Sequence, residues 1–553
     1  MTLTASSTLM ISMGLPVLGA LLVVLLGRWP NLRDSTLFGV AVVTFGFVVR
    51  TVSGAQAGEF AEATLVRVMP GLSLSYHVEP LGILFALVAS GLWIVVTPYA
   101  VGYMRGHHEE NQTRFFACFA LAIGGALSVA FASNLFTLFV GYEFLTLSTY
   151  PLVTHHGTEK AMKAGRVYLG ILLTTSICFL LSGILVVYHL TGTVEFQLGG
   201  ILRGVVESGR ISHFQLGLLL ALFAFGAGKA ALMPFHRWLP NAMVAPTPVS
   251  ALLHAVAVVK AGVFTITKVV VYVFGVELLA ETGASVWLTW VAAATILIAS
   301  TIAITKDNLK ERLAYSTISQ LSYIVLGAAL AHSLGIIGGG MHIAMHAVGK
   351  ITLFFCAGAI MVGAHKTEIS TMDGIGRRMP FTMFAFLLGS VAIIGLPPTG
   401  GAWSKWYLAL GAASSDQVVM MVVLMISSLL SIAYLMPVVA RAFFRPPPAD
   451  EHHGEHHGHG EHHGHDDHHG HHHDAVEVAV LRAYPEEGHA EAQERYAGAM
   501  LPFGRFAPGW TPAEIQEAPL LCVVPLVLTG LGCVGLFVYA DRIYALLLPL
   551  TAG

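Results

Sequence analysis

Long apolar stretches dominate this chain of 553 residues and restrict the folds open to it. Hydrophobic residues make up 55% of the sequence and charged residues only 11%, against about 25% charged residues in a typical globular domain. The mean hydropathy is +0.72. Because a helix needs about 20 apolar residues to cross a bilayer, the sequence predicts an all-α polytopic membrane protein.

A window of about 20 residues predicts about fourteen membrane spans. They lie near residues 7–27, 35–50, 79–102, 114–132, 134–155, 164–190, 212–240, 247–274, 284–305, 313–331, 334–364, 380–412, 417–443 and 519–548. Lys and Arg concentrate in the loops and span edges that follow the odd-numbered spans. Since basic loops stay cytoplasmic, we expect both termini to lie outside the inner (plasma) membrane.

Two of these spans contain helix breakers. Pro234 and Pro240 lie in span 7, and the segment GLPPTGG at 395–401 lies in span 12. Proline removes a backbone donor, which a membrane tolerates only where protein or water satisfies the freed groups. The broken spans are five spans apart, and an odd offset reverses the direction of a repeated unit. This predicts two inverted five-helix repeats, spans 4–8 and 9–13, with ordinary kinks in a packed bundle as the alternative.

These repeats set the predicted domain boundaries. Residues 1–112 would hold the first three spans, 113–275 the first repeat and 276–445 the second. Residues 446–518 would form a cytoplasmic loop, and 519–553 the last span.

Single charged residues inside the spans are the clearest functional signal. One acid and four bases lie alone in apolar windows: Glu143, Lys229, Lys260, Lys350 and Lys405. An ionisable residue at bilayer depth costs at least about 2.5 to 3.5 kcal/mol, so it normally has a partner or a water path. These residues predict a proton relay, in which the distance between Glu143 and Lys229 sets whether the lysine holds its proton.

Histidines extend the predicted relay. His342, His346 and Lys350 recur every four residues, which places them on one helix face with about 6 Å of rise between neighbours. The alternative for His342 and His346 is that they are core histidines whose hydrogen bonds are satisfied within the packed bundle. A zinc site is disfavoured because no third ligand is close. For His254, core hydrogen bonding and a relay role both stay open.

The segment 450–474 has a different character. It alternates histidine pairs with Gly, Glu and Asp and is nearly free of apolar residues, which predicts a disordered cytoplasmic loop. A passive insert is the favoured interpretation, with pH sensing or weak metal binding as alternatives. The candidate metal ligands are His452, His453, His456, His457, His462 and His463.

Redox cofactors are not predicted. The five cysteines contain no C-x-x-C pair, and the chain has no convincing G-x-G-x-x-G unit. The chain is therefore not expected to catalyse electron transfer by itself, although membership in an enzyme complex stays open. The lipid bilayer is an expected partner and nucleic acid is not.

Four segments, at 225–262, 307–323, 341–358 and 395–408, closely resemble the proton-conducting membrane transporter family. This family comprises the antiporter-like subunits of respiratory complex I and of Mrp-type cation/proton antiporters. The resemblance implies that Glu143 is the family's fifth-helix glutamate, and that Lys229, Lys260 and Lys405 are its lysines of helices 7, 8 and 12. It places His342, His346 and Lys350 in the family's central polar helix.

The resemblance also implies a function. The expected role is proton movement in exchange for a monovalent cation such as Na⁺, beside other membrane subunits, and an Mrp D-like protein fits best. A proton-pumping subunit of a complex I-like NADH dehydrogenase or hydrogenase is one alternative, and an inorganic-carbon uptake subunit is another.

Overall fold

The structure, a computed structural model, describes residues 4–56, 60–69, 72–446 and 515–551. Within these ranges the chain is almost entirely helical. Ten described helices are long and apolar enough to cross a membrane. The expectation of an all-helical polytopic membrane protein is therefore confirmed. The count of fourteen spans and their repeat symmetry remain predictions.

The first part of the chain forms three long helices and one hairpin. The helices are α1 (Ala5–Leu25), α2 (Pro30–Gln56) and α3 (Pro80–Gly106). An antiparallel pair, β1 (Glu62–Met69) and β2 (Leu72–His77), stands between α2 and α3, with Glu62 opposite His77. The prediction of helices alone missed this hairpin, because span detection registers only long apolar stretches.

Five helices cover the predicted first repeat. They are α4 (Gln112–Phe131), α5 (Leu135–Val153), α6 (Glu159–Thr191), α7 (His213–Gly226) and α8 (Thr247–Phe274). Side-chain caps begin two of them: Asn134 accepts the Thr137 N–H and Thr158 accepts the Ala161 N–H.

Six helices cover the predicted second repeat. They are α9 (Val286–Thr305), α10 (Leu309–Ala329), α11 (Ser333–Ala364), α12 (Pro380–Ile394), α13 (Gly401–Ser414) and α14 (Val418–Phe444). Helices α12 and α13 are the two halves of predicted span 12. After residue 514 the chain continues with α15 (Leu520–Val538) and a short helix, Ala540–Leu547.

Helix α8 lies at the centre of the bundle. Every residue from Thr247 to Phe274 is buried, and α8 packs against α3, α4, α10 and α11. The outer helices α1, α2, α14 and α15 instead leave large apolar side chains exposed, among them Leu25, Leu429 and Leu528. Such a surface suits lipid and leaves the buried polar groups concentrated around α8 and α11.

Several predicted boundaries were wrong in detail. Span 2 was expected at 35–50, but α2 extends from Pro30 to Gln56. Span 7 was expected to break at Pro234, yet α7 already ends at Gly226, where Ala227 leaves helical geometry with ψ 54°. The last span was expected to be continuous, but its helix ends at Val538 and a second helix begins at Ala540.

Candidate functional site

Lys229 occupies the break that follows α7. It lies in a single 3-10 turn, Gly228–Ala230, which is packed directly against α8. Gly262 of α8 makes this approach feasible, since a methyl group there would overlap the backbone nitrogen of Ala230. The break therefore places an intramembrane lysine beside the central helix.

The ammonium group of Lys229 is held by α5. Its Nζ donates to the carbonyl oxygen of Tyr142 at 2.9 Å and to Oγ1 of Thr146 at 2.6 Å, and it lies 3.1 Å from the centroid of the Tyr142 ring. The backbone N–H of Lys229 donates to the Tyr142 hydroxyl at 2.9 Å. Lys229 is fully buried, so these neutral oxygens replace water around it.

Glu143 follows Tyr142 on the same helix but has a different environment. Both carboxylate oxygens are buried and neither has a hydrogen-bond partner among the described residues. The two predicted partners are thus linked through Tyr142, which Lys229 contacts, and the two charged groups share no hydrogen bond.

Lys260 and His346 join the two halves of the protein. Nζ of Lys260 on α8 lies 2.5 Å from Nδ1 of His346 on α11, and both residues are buried. Helix α8 departs from α-helical geometry over Leu252–Val256 and at Ala257, just before Lys260. Such π-type segments are frequent at functional sites because they redirect side chains.

His342 continues the row along α11. Its ring centroid is 5.8 Å from that of His346. Its two nitrogens contact Oε1 of Gln320 at 3.1 Å and Oγ of Ser404 at 2.9 Å. Ser404 immediately precedes Lys405, so His342 leads from the centre of the bundle to the second broken helix.

Lys405 lies on α13, beyond the break between α12 and α13. Its Nζ donates to the carbonyl oxygen of Ile394 at 2.9 Å and to Oγ of Ser428 at 3.0 Å. Ile394 is the last residue of α12, where carbonyl groups lack helical partners and carry partial negative charge. Gly401 allows this packing, since a methyl group there would overlap the carbonyl oxygen of Ala392.

The remaining predicted relay residues are both buried but differ in their contacts. Nζ of Lys350 donates to Oγ of Ser316 at 2.6 Å and to the carbonyl oxygen of Leu313 at 3.3 Å. The ring of His254 packs on Phe354 with centroids 4.7 Å apart, and neither ring nitrogen has a hydrogen-bond partner among the described residues. Core hydrogen bonding to the protein therefore does not explain His254.

Sequence reasoning missed a buried ion pair. Nζ of Lys268 on α8 lies 2.6 Å from Oε1 of Glu79 and donates to the carbonyl oxygen of Ala132 at 2.6 Å. The signal was present, because Lys268 is a lone lysine in the same apolar run as Lys260. Gln320 and Ser404 had no such signal, since neutral polar residues are common in membrane helices.

A cavity of about 180 Å³ opens at one end of the bundle, between α3, α8, α10 and α11. Glu109 and His156 line it, and their side chains are 3.2 Å apart. Burial favours the neutral acid, but the hydrogen bond from His156 and the nearby histidines outweigh it and lower the pKa of Glu109. Burial lowers the pKa of the neighbouring His155 to about 4.

No group of three or more His, Cys, Asp or Glu side chains suited to a metal ion occurs in the described part of the chain. The candidate ligands between His452 and His463 lie outside the described residues.

Sequence comparison identifies a family. Residues 132–431, more than half of the chain, match the family described as NADH:quinone oxidoreductase/Mrp antiporter, TM. NADH-quinone oxidoreductase subunit N of Desulforudis audaxviator is 36% identical over 381 residues, which covers 68% of this chain and 74% of that protein. NAD(P)H-quinone oxidoreductase chain 5 of a Picosynechococcus species is 32% identical, covering 71% of this chain and 61% of that protein. The chloroplastic subunit 5 of Mesostigma viride is 32% identical, and the chain spans 51% of its length.

Comparison of structures gives the same fold. A chain in the Mrp complex from Dietzia sp. DQ12-45-1b aligns with a TM-score of 0.78 at 22% identity, covering 100% of this chain and 97% of that one. A chain of the membrane-bound sulfane sulfur reductase, an archaeal respiratory membrane complex, aligns with a TM-score of 0.69 at 24% identity. It covers 79% of this chain and 88% of that chain.

Proposed function

Because this chain belongs to the NADH:quinone oxidoreductase/Mrp antiporter transmembrane family, we propose that it is an ion-translocating subunit of a multisubunit membrane complex. It moves protons along the row formed by Lys229, Lys260, His346, His342 and Lys405, in exchange for a monovalent cation. The observation that carries the proposal is the contact between Lys260 and His346, which links the two halves of the row by one hydrogen bond.

From Lys260 onward each step of the row is short or bridged by one polar side chain, and Lys229 joins the row through the turn that packs against α8, the helix of Lys260. His346 receives the proton of Lys260 through their shared hydrogen bond, and His342 lies one ring beyond it. Ser404 then connects His342 to the turn that carries Lys405. Lysine and histidine are neutral once their proton has left, and a bridging hydroxyl takes up one proton as it gives up another, so one positive charge moves without leaving an unpaired anion behind.

Glu143 adds an acidic residue to the first half of the row, beside Lys229. Its carboxylate has no hydrogen-bond partner among the residues that the structure describes, which is costly at bilayer depth, and a cation or a proton would relieve that cost. Binding there changes the charge next to Lys229 and so favours release of the lysine proton. This coupling is the basis for exchange of Na⁺ against H⁺ at the first broken helix.

Exchange can be measured with the complex purified from its own membrane and reconstituted in liposomes. An imposed Na⁺ gradient should drive protons in the opposite direction, read by a trapped pH-sensitive dye, with K⁺ and Li⁺ gradients run in parallel. Proton movement that is unchanged by all three cation gradients would contradict the antiport proposal.

A complex I-like proton pump is the second candidate. It is supported by the sequence relatives, which are named as subunits of quinone oxidoreductases. The antiport candidate is supported by the whole-chain alignment with a chain of an Mrp complex, and an Mrp D-like role is its most specific form. The mass and composition of the intact complex separate the two, since only the pump requires a redox partner.

The proposed orientation of the chain in the membrane is inferred from the positions of the loops rich in Lys and Arg. Both termini lie outside the plasma membrane, and the histidine-rich segment lies in the cytoplasm. Protease protection of the loops in sealed vesicles of known sidedness tests this arrangement.

A further inference from the structure

A row of buried hydroxyl groups connects α10 to α14 beside the lysines. Oγ of Ser316, which accepts the hydrogen bond of Lys350, lies 2.9 Å from the hydroxyl of Tyr434. That hydroxyl lies 2.9 Å from Oγ of Ser431. Ser316, Ser431 and Tyr434 are all completely buried. The row therefore begins at a relay lysine and continues onto a different helix from the histidines.

The hydrogen bonds in this row have one direction. Lys350 donates to Ser316, and Ser316 donates to Tyr434. Ser431 uses its single proton toward the carbonyl oxygen of Ser427 at 2.8 Å, so Tyr434 must be the donor to Ser431. The donors from Lys350 to Ser431 thus point away from Lys350, which is the order that a proton leaving this lysine requires, and Ser431 itself donates to the backbone beside the row.

The other end of the row approaches Lys405. Ser428 lies three residues before Ser431 on α14 and accepts a hydrogen bond from Nζ of Lys405 at 3.0 Å. Side chains three residues apart on a helix are about 5 to 6 Å apart at Cβ. One water molecule with two hydrogen bonds bridges such a gap.

We propose that the hydroxyl row is a second proton path between Lys350 and Lys405, parallel to the histidine path through His346 and His342. The inference rests on the proposed function and adds Ser316, Tyr434, Ser431 and Ser428 to it. In one transfer the charged amine of Lys350 gives a proton to Ser316, Ser316 passes its own proton to Tyr434, and Tyr434 passes its own to Ser431. Ser431 turns its hydroxyl from the carbonyl oxygen of Ser427 to one water molecule and gives it a proton, and that water protonates Ser428, which passes its own proton on. Neutral Lys405 accepts the last proton, so Lys350 ends neutral, Lys405 ends charged and every hydroxyl is restored.

If these hydroxyl groups had a purely structural role, they would need hydrogen bonds but not this order of donors. Buried hydroxyls need hydrogen bonds, and Ser300, Ser319 and Ser427 show how such a cluster satisfies itself, with oxygens 2.9 to 3.4 Å apart. That cluster includes no lysine. The row at Tyr434 differs because it starts at one relay lysine and ends within a helical turn of another.

Double-mutant analysis of proton movement in the reconstituted complex tests the second path. Tyr434→Phe removes one hydroxyl and keeps the buried ring, and His342→Ala interrupts the histidine path. Independent paths predict residual proton movement in His342→Ala and a further loss of about tenfold when Tyr434→Phe is added. A double variant as fast as His342→Ala alone, or no residual rate in His342→Ala, would overturn the second path.

Further variants distinguish loss of the second path from misfolding. Ser316→Thr keeps a hydroxyl and should retain the rate, whereas Ser316→Ala should behave like Tyr434→Phe in the His342→Ala background. Tyr99→Phe is the matched control, because the buried Tyr99 hydroxyl donates only to the carbonyl oxygen of Phe355, at 3.0 Å. Equal losses in Ser316→Thr and Ser316→Ala would refute the path. A wild-type complex that moves no protons would refute the proposed function and the inference together.

Discussion

Neutral oxygen atoms, and not carboxylates, surround most of the relay lysines. Lys229 binds Tyr142 and Thr146, and Lys405 binds a carbonyl oxygen and Ser428. A carboxylate at hydrogen-bonding distance would fix the charged form of a lysine, whereas neutral acceptors stabilise it less. These contacts support the proposed relay, which requires each lysine to release its proton.

The environment of Lys405 makes a specific prediction for substitution. Lys405→Glu should retain part of the proton movement, because a protonated carboxyl can still donate to the Ile394 carbonyl oxygen and remains titratable. Lys405→Arg and Lys405→Ala should each lose at least about tenfold, since arginine does not release its proton and alanine has none. Dye-reported proton flux in liposomes measures all three, and full activity of the alanine variant would contradict a relay role.

The shifted pKa values of Glu109 and the neighbouring His155 predict how the stability of the protein depends on pH. His155 has a folded-state pKa of about 4, below the usual value of about 6.5, so the unfolded chain binds more protons between these values. Stability should therefore fall as the pH decreases from about 6.5 to 4, and Glu109 should extend the loss at lower pH. Thermal unfolding of His155→Gln should show a weaker dependence over this window. The same change at the exposed His213 should leave the dependence intact.

At the level of helices, the breaks bring the functional groups together. The turn after α7 lies against α8, and the break between α12 and α13 exposes the carbonyl end of α12 to Lys405. Helix α8 adds a departure from α-helical geometry between His254 and Lys260. The turn that holds Lys229 and the irregular segment of α8 are buried in protein, which is the condition under which a membrane protein tolerates free backbone groups, whereas Leu396, Pro397 and Pro398 between α12 and α13 are exposed.

Gly262 tests the packing of α8 against the Lys229 turn. Gly262→Ala places a methyl group onto the backbone of Ala230, which cannot move without shifting Lys229. We expect a loss of about 1 to 3 kcal/mol in stability or a strong loss of proton movement, measured by thermal unfolding and liposome flux. Gly170→Ala on the exposed face of α6 is the control, because its methyl group would meet open space. Equal behaviour of the two variants would contradict the packing account.

Hydropathy predicted the helices, and lone charged residues predicted the relay candidates. Both signals can be read from the sequence alone, because a charged residue within an apolar stretch is apparent without knowledge of the fold. The family resemblance was confirmed by the match over residues 132–431. The end of α7 at Gly226 was not predictable, since it depends on close approach between distant segments. The hydroxyl partner of Lys350 was equally hidden, because serines in membrane helices are too common to mark a site.

Over the whole molecule, the buried bases are distributed from the turn after α7, past α8 and α11, to α13. Lys229 lies at the turn beside α8, Lys260 and His346 meet at the centre, and His342 leads to Lys405. The centre of the row lies on the fully buried helix α8, while the outer helices present apolar side chains outward. This arrangement supports the proposed movement of protons between the two broken helices.

In the proposed function, protons cross the molecule through the contact between Lys260 and His346. The most direct measurement is proton flux of the reconstituted complex carrying Lys260→Met, with the exposed Lys163→Met as control. We predict a loss of at least about a hundredfold for Lys260→Met, with normal assembly of the complex, and no change for Lys163→Met. Wild-type flux in the Lys260→Met complex would contradict the account.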